Sequence, residues 1–276
     1  MYSISIAGTS GSGKTTVIHA LKRYMDESVF SHLDLDGYQR HNRAERAKIK
    51  SFPEDIGEVD VDKIINDINT LASGRNIKMP KYDHVLGKVT DYKPLKPKKI
   101  LIIEGLHAIM LNDFLTEKGI DLNIYMNTTQ DIQRAWKVKR DVEARGYSYN
   151  KVIREIEHRT AFEDLYVKSQ VGHADVLVNT RIRSGEIVRE VLLAPGFIYT
   201  VDYQYFLRFF SIEKTNMIGK EYSIIRAKNT VKDKCNLITS FFSVSDINSL
   251  DSFQISVATL VNLIVFLYNF NNVNYG

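Results

Sequence analysis

The sequence predicts an α/β fold built on a mostly parallel sheet, and two patterns carry that expectation. From Met1 to about Ala194, short apolar strand patterns alternate with amphipathic helical ones, the order that produces parallel strands joined by crossover helices. The first strand-to-helix turn is rich in glycine. Residues 8–15 read G-T-S-G-S-G-K-T, which fits G-x-x-x-x-G-K-[ST] at every fixed position.

Each element follows from its own pattern. Tyr2 to Ala7 alternates polar and apolar side chains as a strand does, and Thr15 to Met25 sets Val17, Ile18, Leu21 and Met25 on one helical face. The loop between them, Gly8, Thr9, Ser10, Gly11, Ser12 and Gly13, points backbone N–H groups and the positive end of a helix dipole at one spot, which suits a β-phosphate. Lys14 can reach β/γ oxygens, the Thr15 hydroxyl suits Mg²⁺, and Thr16 extends the loop into the helix. MgATP is the expected ligand. Phe30 to Leu35 reads as a strand ending at Asp36, and Val61 to Leu71 as an amphipathic helix closed by Ser73-Gly74. Ile100 to Ile103 is a continuous apolar run typical of a central parallel strand. Leu122 to Met126 is a further strand, Thr129 to Arg145 and Tyr149 to Tyr166 are helices, and Ala174 to Val178 is a short strand.

Ala194-Pro195-Gly196 is the best break, and it divides residues 1–194 from residues 195–276. The second part is expected to be a smaller β-rich extension closed by a C-terminal helix. Seven aromatics between Phe197 and Phe210, and Phe241-Phe242 later, point to core packing or a subunit contact, so a homo-oligomer is expected.

Composition excludes several classes. At 276 residues, 44% hydrophobic and 25% charged with a net charge of +4, the chain reads as an ordinary soluble globular protein with no basic tail for nucleic acid. No signal segment is expected at its start. One cysteine, Cys235, excludes an internal disulfide and fits a reducing compartment. Ile255 to Tyr268 is too short for a bilayer, which needs roughly 20 apolar residues, so it reads as a buried helix. A cytoplasmic protein with a small-molecule substrate, and neither nucleic acid nor membrane as partner, is expected.

Ligands of open α/β sheets sit at the carboxyl ends of the strands, which makes the acidic residues there candidates. Asp36 ends one strand and fits a general base that orients and deprotonates an attacking hydroxyl. Asp34 is its rival, one pleat back. Glu104 directly follows the run Ile100 to Ile103 and fits the acidic group near a metal. The helix Thr129 to Arg145 carries Arg134, Lys137, Lys139, Arg140 and Arg145, with Arg134, Lys137, Asp141 and Arg145 spaced to share a face. Such a helix suits a lid over triphosphate. Arg40, Arg43 and Arg46 follow Asp36 closely and suit an acceptor that carries its own phosphate, or equally a solvated charged helix.

The phosphate loop, D-G-Y-Q-R-H-N-R-A-E-R at 36–46, K-Y-D-H at 81–84, E-G-L-H at 104–107 and W-K-V-K-R-D-V-E-A-R-G at 136–146 occur in order. In these the chain resembles the phosphoribulokinase/uridine kinase family over about residues 1–194, with strings nearer the phosphoribulokinase branch. The resemblance implies a kinase of P-loop fold. It implies that Asp36 is the catalytic base, that Glu104 lies near metal and phosphates, and that Arg43 binds the sugar phosphate. It further implies that Tyr82, His84 and His107 line the acceptor site, that Lys137, Arg140 and Arg145 are lid cations on ATP, and that Asp141 is a carboxylate needed for full activity. The chain has Gln39 where many phosphoribulokinases have histidine, and no cysteine in the phosphate loop. Three alternatives stand beside a sugar-phosphate kinase: a uridine/cytidine-type nucleoside kinase, a non-catalytic nucleotide-binding module, and a plain hydrolase.

Overall fold

The computed structural model describes residues 1–116, 118–197, 203–217, 219–228 and 252–273. In chain order the elements are β1 (Tyr2–Ala7), α1 (Lys14–Tyr24), β2 (Phe30–Asp34), α2 (Arg43–Ile49), α3 (Val61–Ala72), β3 (Ile77–Asp83), β4 (Lys88–Leu95), β5 (Ile100–Gly105), β6 (Leu122–Thr128), α4 (Gln130–Glu143), α5 (Tyr149–Phe162), β7 (Val176–Arg183), β8 (Glu186–Leu193), a one-turn helix Tyr203–Phe206, β9 (Phe210–Met217), β10 (Lys220–Ala227) and a C-terminal helix Ser252–Val273.

Contacts divide the chain into two units: Met1–Lys14 with Phe30–His173, and Thr15–Val29 with Ala174–Gly276. In the first unit β2, β5, β1 and β6 lie in that order, and the ladders among these four strands are parallel. This is the expected α/β arrangement. β5 is enclosed between β2 and β1, and Ile100 to Ile103 are fully buried, as a run with no polar alternation requires. The parallel register aligns the carboxyl ends: Asp34 lies opposite Glu104 on one side of β5, and Ile6 lies opposite Glu104 on the other.

Two features of this unit escape the strand–helix pattern. Residues 77–95 form an antiparallel hairpin, β3 with β4, separate from the parallel sheet. Its β3 carries a proline and mixed burial, which hides the alternation a strand would show. Residues 43–49, the charged stretch after the predicted base, are the helix α2, started by a capping box between Asn42 and Glu45.

In the second unit, α1 buries Val17, Ile18 and Leu21, and Met25 just past its end is buried as well, the face the spacing assigns. β7, β8, β10 and β9 pair antiparallel in that order. Residues 174–193 belong to this unit by their contacts, since β7 pairs with β8 and β8 pairs onward with β10. The C-terminal helix packs on β8 and β10, where Phe206 stacks on Phe210 (ring centroids 4.5 Å apart) and Phe266 meets both edge to face at 5.3 and 6.1 Å. These aromatics are core. Ser256, Thr259 and Asn262 are buried in that helix, and Thr259 and Asn262 donate to carbonyls four residues back, so their polar groups are satisfied locally. Cys235, Phe241 and Phe242 lie outside the described residues. No described helix is long and apolar enough to cross a membrane.

Gly37 is the tightest backbone approach, since a Cβ there would lie 2.2 Å from the Pro80 carbonyl oxygen of the hairpin. Gly37→Ala is therefore expected to cost about 1–3 kcal/mol or more through overpacking. Gly172→Ala, where an added Cβ meets nothing within 4 Å, should stay within about 0.5 kcal/mol. Urea unfolding of the two variants checks both, and equal midpoints would refute the close approach.

Candidate active site

The loop between β1 and α1 is shaped by what surrounds it. Gly8 has φ 150° and Gly11 has φ 85°, and neither has room for a side chain. A Cβ on Gly8 would lie 2.8 Å from Ser12 Oγ and 2.9 Å from Met126. One on Gly11 would lie 3.0 Å from the Gln133 carbonyl oxygen and from Lys137 Cβ. α4 and β6 also bond the loop: Gln133 Nε2 donates to the Ser10 carbonyl (3.2 Å), Arg140 donates to Ser10 Oγ (3.2 Å), and Thr128 Oγ1 donates to the Ser12 carbonyl (2.9 Å). Thr9 and Ser12 are buried. The Lys14 ammonium folds back onto the carbonyls of Gly8 (2.7 Å) and Thr9 (3.0 Å). Desolvation lowers its pKa, while the charges of Glu104 and Asp36 oppose that shift. Thr15 follows Lys14 as the second residue of α1, and Thr16 is the third.

Three carboxylates gather at the carboxyl ends of β2 and β5. β2 stops at Asp34, and Asp36 lies beyond it in a single 3₁₀ turn, Leu35–Gly37. The strand was expected to run to Leu35. It ends earlier because Asp34 Oδ1 accepts the Asp36 N–H at 2.9 Å and caps the turn. Asp36 Oδ2 lies 3.3 Å from His84 Nε2, and its side chain is 41% exposed. Glu104 is buried, with His32 Nε2 3.2 Å from its Oε2. Burial, and then the charges of Asp36 and Glu104, push the Asp34 carboxyl up to about 7. Asp36 goes the other way. Desolvation alone would raise it, but the hydrogen bond and charge of His84, with the charges of Lys14 and Arg145, hold it below the ordinary carboxylate value.

The hairpin supplies the neighbours of Asp36. Tyr82 and His84 stand edge to face with ring centroids 5.2 Å apart. Arg43, the first residue of α2, donates to the carbonyls of His84 (2.6 Å) and Val85 (3.3 Å) at the hairpin turn. Arg46 is buried and donates to Tyr82 Oη (3.2 Å) and to the His41 carbonyl, whereas Arg40 is exposed. The structure thus brings Asp36, Arg43, Tyr82 and His84 together. His107 is buried, with Nε2 3.3 Å from the Pro53 carbonyl, and burial pulls its pKa down.

On α4 the basic residues divide. Arg134 and Lys139 are exposed. Asp141 is buried and accepts from Arg140 Nε (2.8 Å) and from Arg145 (3.0 Å), so one carboxylate fixes two guanidinium groups. Lys137 is only 2% exposed, and its Nζ has no hydrogen-bond partner among the described residues. Desolvation lowers its pKa, with the charge of Glu54 opposing. The face read as a lid has Lys137 and Asp141 buried, and the phosphate loop packs on α4 beside Lys137 at Gly11. Sequence reasoning passed over Gln133 and Tyr147. Gln133 sits one turn before Lys137 on the loop-facing side, and that spacing was its only signal.

The profile of the "Phosphoribulokinase / Uridine kinase family" matches residues 3–185. A phosphoribulokinase of Synechocystis sp. is 30% identical over 175 residues, covering 63% of this chain and 52% of its own length. A uridine kinase of Brevibacillus brevis is 31% identical over 157 residues, covering 54% of this chain and 71% of its own. Among solved structures, a phosphoribulokinase from Rhodobacter spheroides superposes with a TM-score of 0.59 at 15% identity, covering 97% of this chain and 98% of that one, which shows a shared fold. The chain spans about half the length of the Synechocystis and spinach phosphoribulokinases it matches.

The raised Asp34 has a measurable consequence. Its folded pKa, about 7, lies above its unfolded value, so the native state binds the proton more tightly. The stability it contributes is fully present below about pH 4 and is lost as pH rises through about 7. Asp34→Asn keeps the acceptor for the Asp36 N–H but removes this loss. Its melting temperature relative to the parent should rise between pH 4 and pH 8, and a pH-independent difference would contradict the assignment.

Proposed function

The chain belongs to the phosphoribulokinase/uridine kinase family, and we propose that it is an ATP-dependent kinase acting on a sugar phosphate, ribulose 5-phosphate or a related pentose phosphate. The observation that carries this reading is Asp36, a carboxylate held ionised between His84 and the charge of the phosphate-loop lysine. In this reading the acceptor hydroxyl gives its proton to Asp36 as its oxygen bonds to the γ-phosphorus, and the bond from that phosphorus to the ADP oxygen breaks. Gly8 to Thr16 hold the triphosphate, with Lys14 leaving its loop carbonyls for the β/γ oxygens. Lys137, Arg140 and Arg145 balance the developing charge, and Asp141 sets the two guanidinium groups. Tyr82, His84 and His107 are assigned to the acceptor side.

Mg²⁺ suits the donors available. Among the described residues no cluster of three His, Cys, Asp or Glu side chains would hold a metal alone. Mg²⁺ needs only one or two protein oxygens beside nucleotide phosphates, which Glu104 and the Thr15 hydroxyl offer. Bound there, it would neutralise phosphate charge. We assign the kinase chemistry to residues 1–194, with residues 195–276 as a β-rich extension, and read the protein as cytoplasmic and homo-oligomeric.

For the acceptor phosphate, Arg43 is the proposed ligand. Two of its five N–H donors are spent on the hairpin carbonyls and others remain to bind an anion beside Asp36. That same engagement favours the second reading, a nucleoside kinase, in which Arg43 serves only the hairpin.

An ATP-consumption screen over pentose phosphates, hexose phosphates and nucleosides separates the two. Asp36→Asn should lower kcat by about 10²–10⁴-fold with little change in the KM for ATP. Lys14→Ala should weaken ATP binding or abolish turnover while leaving the fold intact. Arg43→Ala should raise the acceptor KM by about one to two orders of magnitude. Preference for uridine or cytidine with a kinetically silent Arg43→Ala would replace the sugar-phosphate reading with the nucleoside one.

A further inference from the structure

Tyr147 lies in the short connection between α4 and α5, outside every sequence motif singled out above. Its backbone N–H donates to the Asp141 carbonyl (2.9 Å), which ties it to the end of α4. Its hydroxyl donates to the His84 carbonyl at 3.1 Å. The Arg43 guanidinium donates to that same oxygen at 2.6 Å, so both lone pairs of the His84 carbonyl are taken. The Tyr147 ring is itself held by two cations, Lys151 Nζ at 3.8 Å and Arg43 Cζ at 5.4 Å from its centroid.

The hairpin turn carrying His84 has little freedom of its own. Asp83 Oδ1 accepts the N–H groups of Val85 (2.8 Å) and Leu86 (2.9 Å), and the Gly87 N–H donates to the Asp83 carbonyl (2.7 Å). The Arg43 N–H donates to the Gly87 carbonyl at 2.8 Å. A Cβ on Gly87 would lie 2.8 Å from Arg43 Cβ, and φ 70° there already favours glycine. A turn so braced moves as one piece, and a force on the His84 carbonyl is passed to its imidazole, 3.3 Å from Asp36.

We propose that Tyr147 is a positioning residue: its hydroxyl, together with Arg43, clamps the His84 carbonyl and thereby keeps the His84 imidazole on Asp36. The proposal rests on the reading of Asp36 as the base. It also joins two regions, because Arg140 bonds both Ser10 of the phosphate loop and Asp141, whose carbonyl holds Tyr147. The phosphate loop and the proposed base are thus linked through α4 without a shared ligand.

The test is Tyr147→Phe, which keeps the ring between its cations and removes one hydroxyl. Asp36 faces His84 from the hairpin, Lys14 from the phosphate loop, Arg145 from the end of α4 and Asp34 from its own turn, with Glu104 acting on Asp34 from β5. Of these the substitution loosens only His84. The Asp36 carboxyl, followed by ¹³C NMR and assigned by its loss in Asp36→Asn, should then titrate at higher pH than in the parent protein. With MgATP and ribulose 5-phosphate, kcat should fall about three- to tenfold, the range one neutral hydrogen bond supports, while the KM for ATP stays put. A titration curve superimposed on the parent's overturns the clamp, and so does a loss of turnover matched by an equal rise in the KM for ATP. Failure of the base assignment shows up separately, as an Asp36→Asn variant with full turnover. The NMR titration needs no acceptor and judges the clamp in either case.

Discussion

The packing of the phosphate loop against α4 is the constraint on which the rest of the site depends. A loop of six residues that points its N–H groups inward cannot hold itself open, because its own carbonyls compete for those donors. Here Gly11 lies against the Gln133 carbonyl and Lys137 Cβ with no room for a methyl group, and Gln133 and Arg140 bond Ser10 from the same helix. That contact decides which residues of α4 face inward. Lys137 is buried against it, and Asp141, one turn further on and also buried, holds Arg140 and Arg145 with one carboxylate. A helix that looks like a freely exposed basic lid is, on this side, a wall of the loop.

The second determinant is charge at the strand ends. The parallel register of β2 with β5 puts Asp34 opposite Glu104, and two carboxylates that close to low-dielectric surroundings cannot both ionise cheaply. Burial, then the charge of Asp36 and then that of Glu104, raises the Asp34 carboxyl to about 7. Asp36, two residues on, escapes it because the 3₁₀ turn carries it out to His84 and into the field of Lys14 and Arg145. One short segment therefore holds a carboxylate that favours its proton beside one that gives it up. Environment separates the pair, since their intrinsic chemistry is the same.

The hairpin of β3 and β4 ties these parts together. Its turn presents His84 to Asp36, and it is held there from α2 by Arg43 and from the α4–α5 connection by Tyr147. Arg46 reaches the same hairpin through the Tyr82 hydroxyl. The arginine cluster after Asp36 is consequently structural as well as electrostatic. Its position beside the base and its bonds to the hairpin come from the same residues, and an acceptor phosphate would have to share Arg43 with the turn.

By itself the sequence determined the local matters. The glycine spacing of 8–15, the buried stripe of α1 and the apolar run of β5 are set by period and by backbone freedom, which act over a few residues and can be read one segment at a time. Asp36 and Glu104 were legible as candidates for the same reason, Asp36 standing just past β2 and Glu104 at the carboxyl end of β5. What tertiary structure alone decided is which of several equal-looking groups is buried, paired or left open. Asp34 and Asp36 differ by one turn of chain, and Lys137 and Arg134 by less than one turn of helix, yet their surroundings differ entirely. Beyond the helical spacing of Gln133 from Lys137, Gln133 and Tyr147 carry no local signal, because their partners, Ser10 and His84, lie 123 and 63 residues away. Desolvation and hydrogen bonding of that range depend on the packed arrangement of distant segments, which no window of sequence contains.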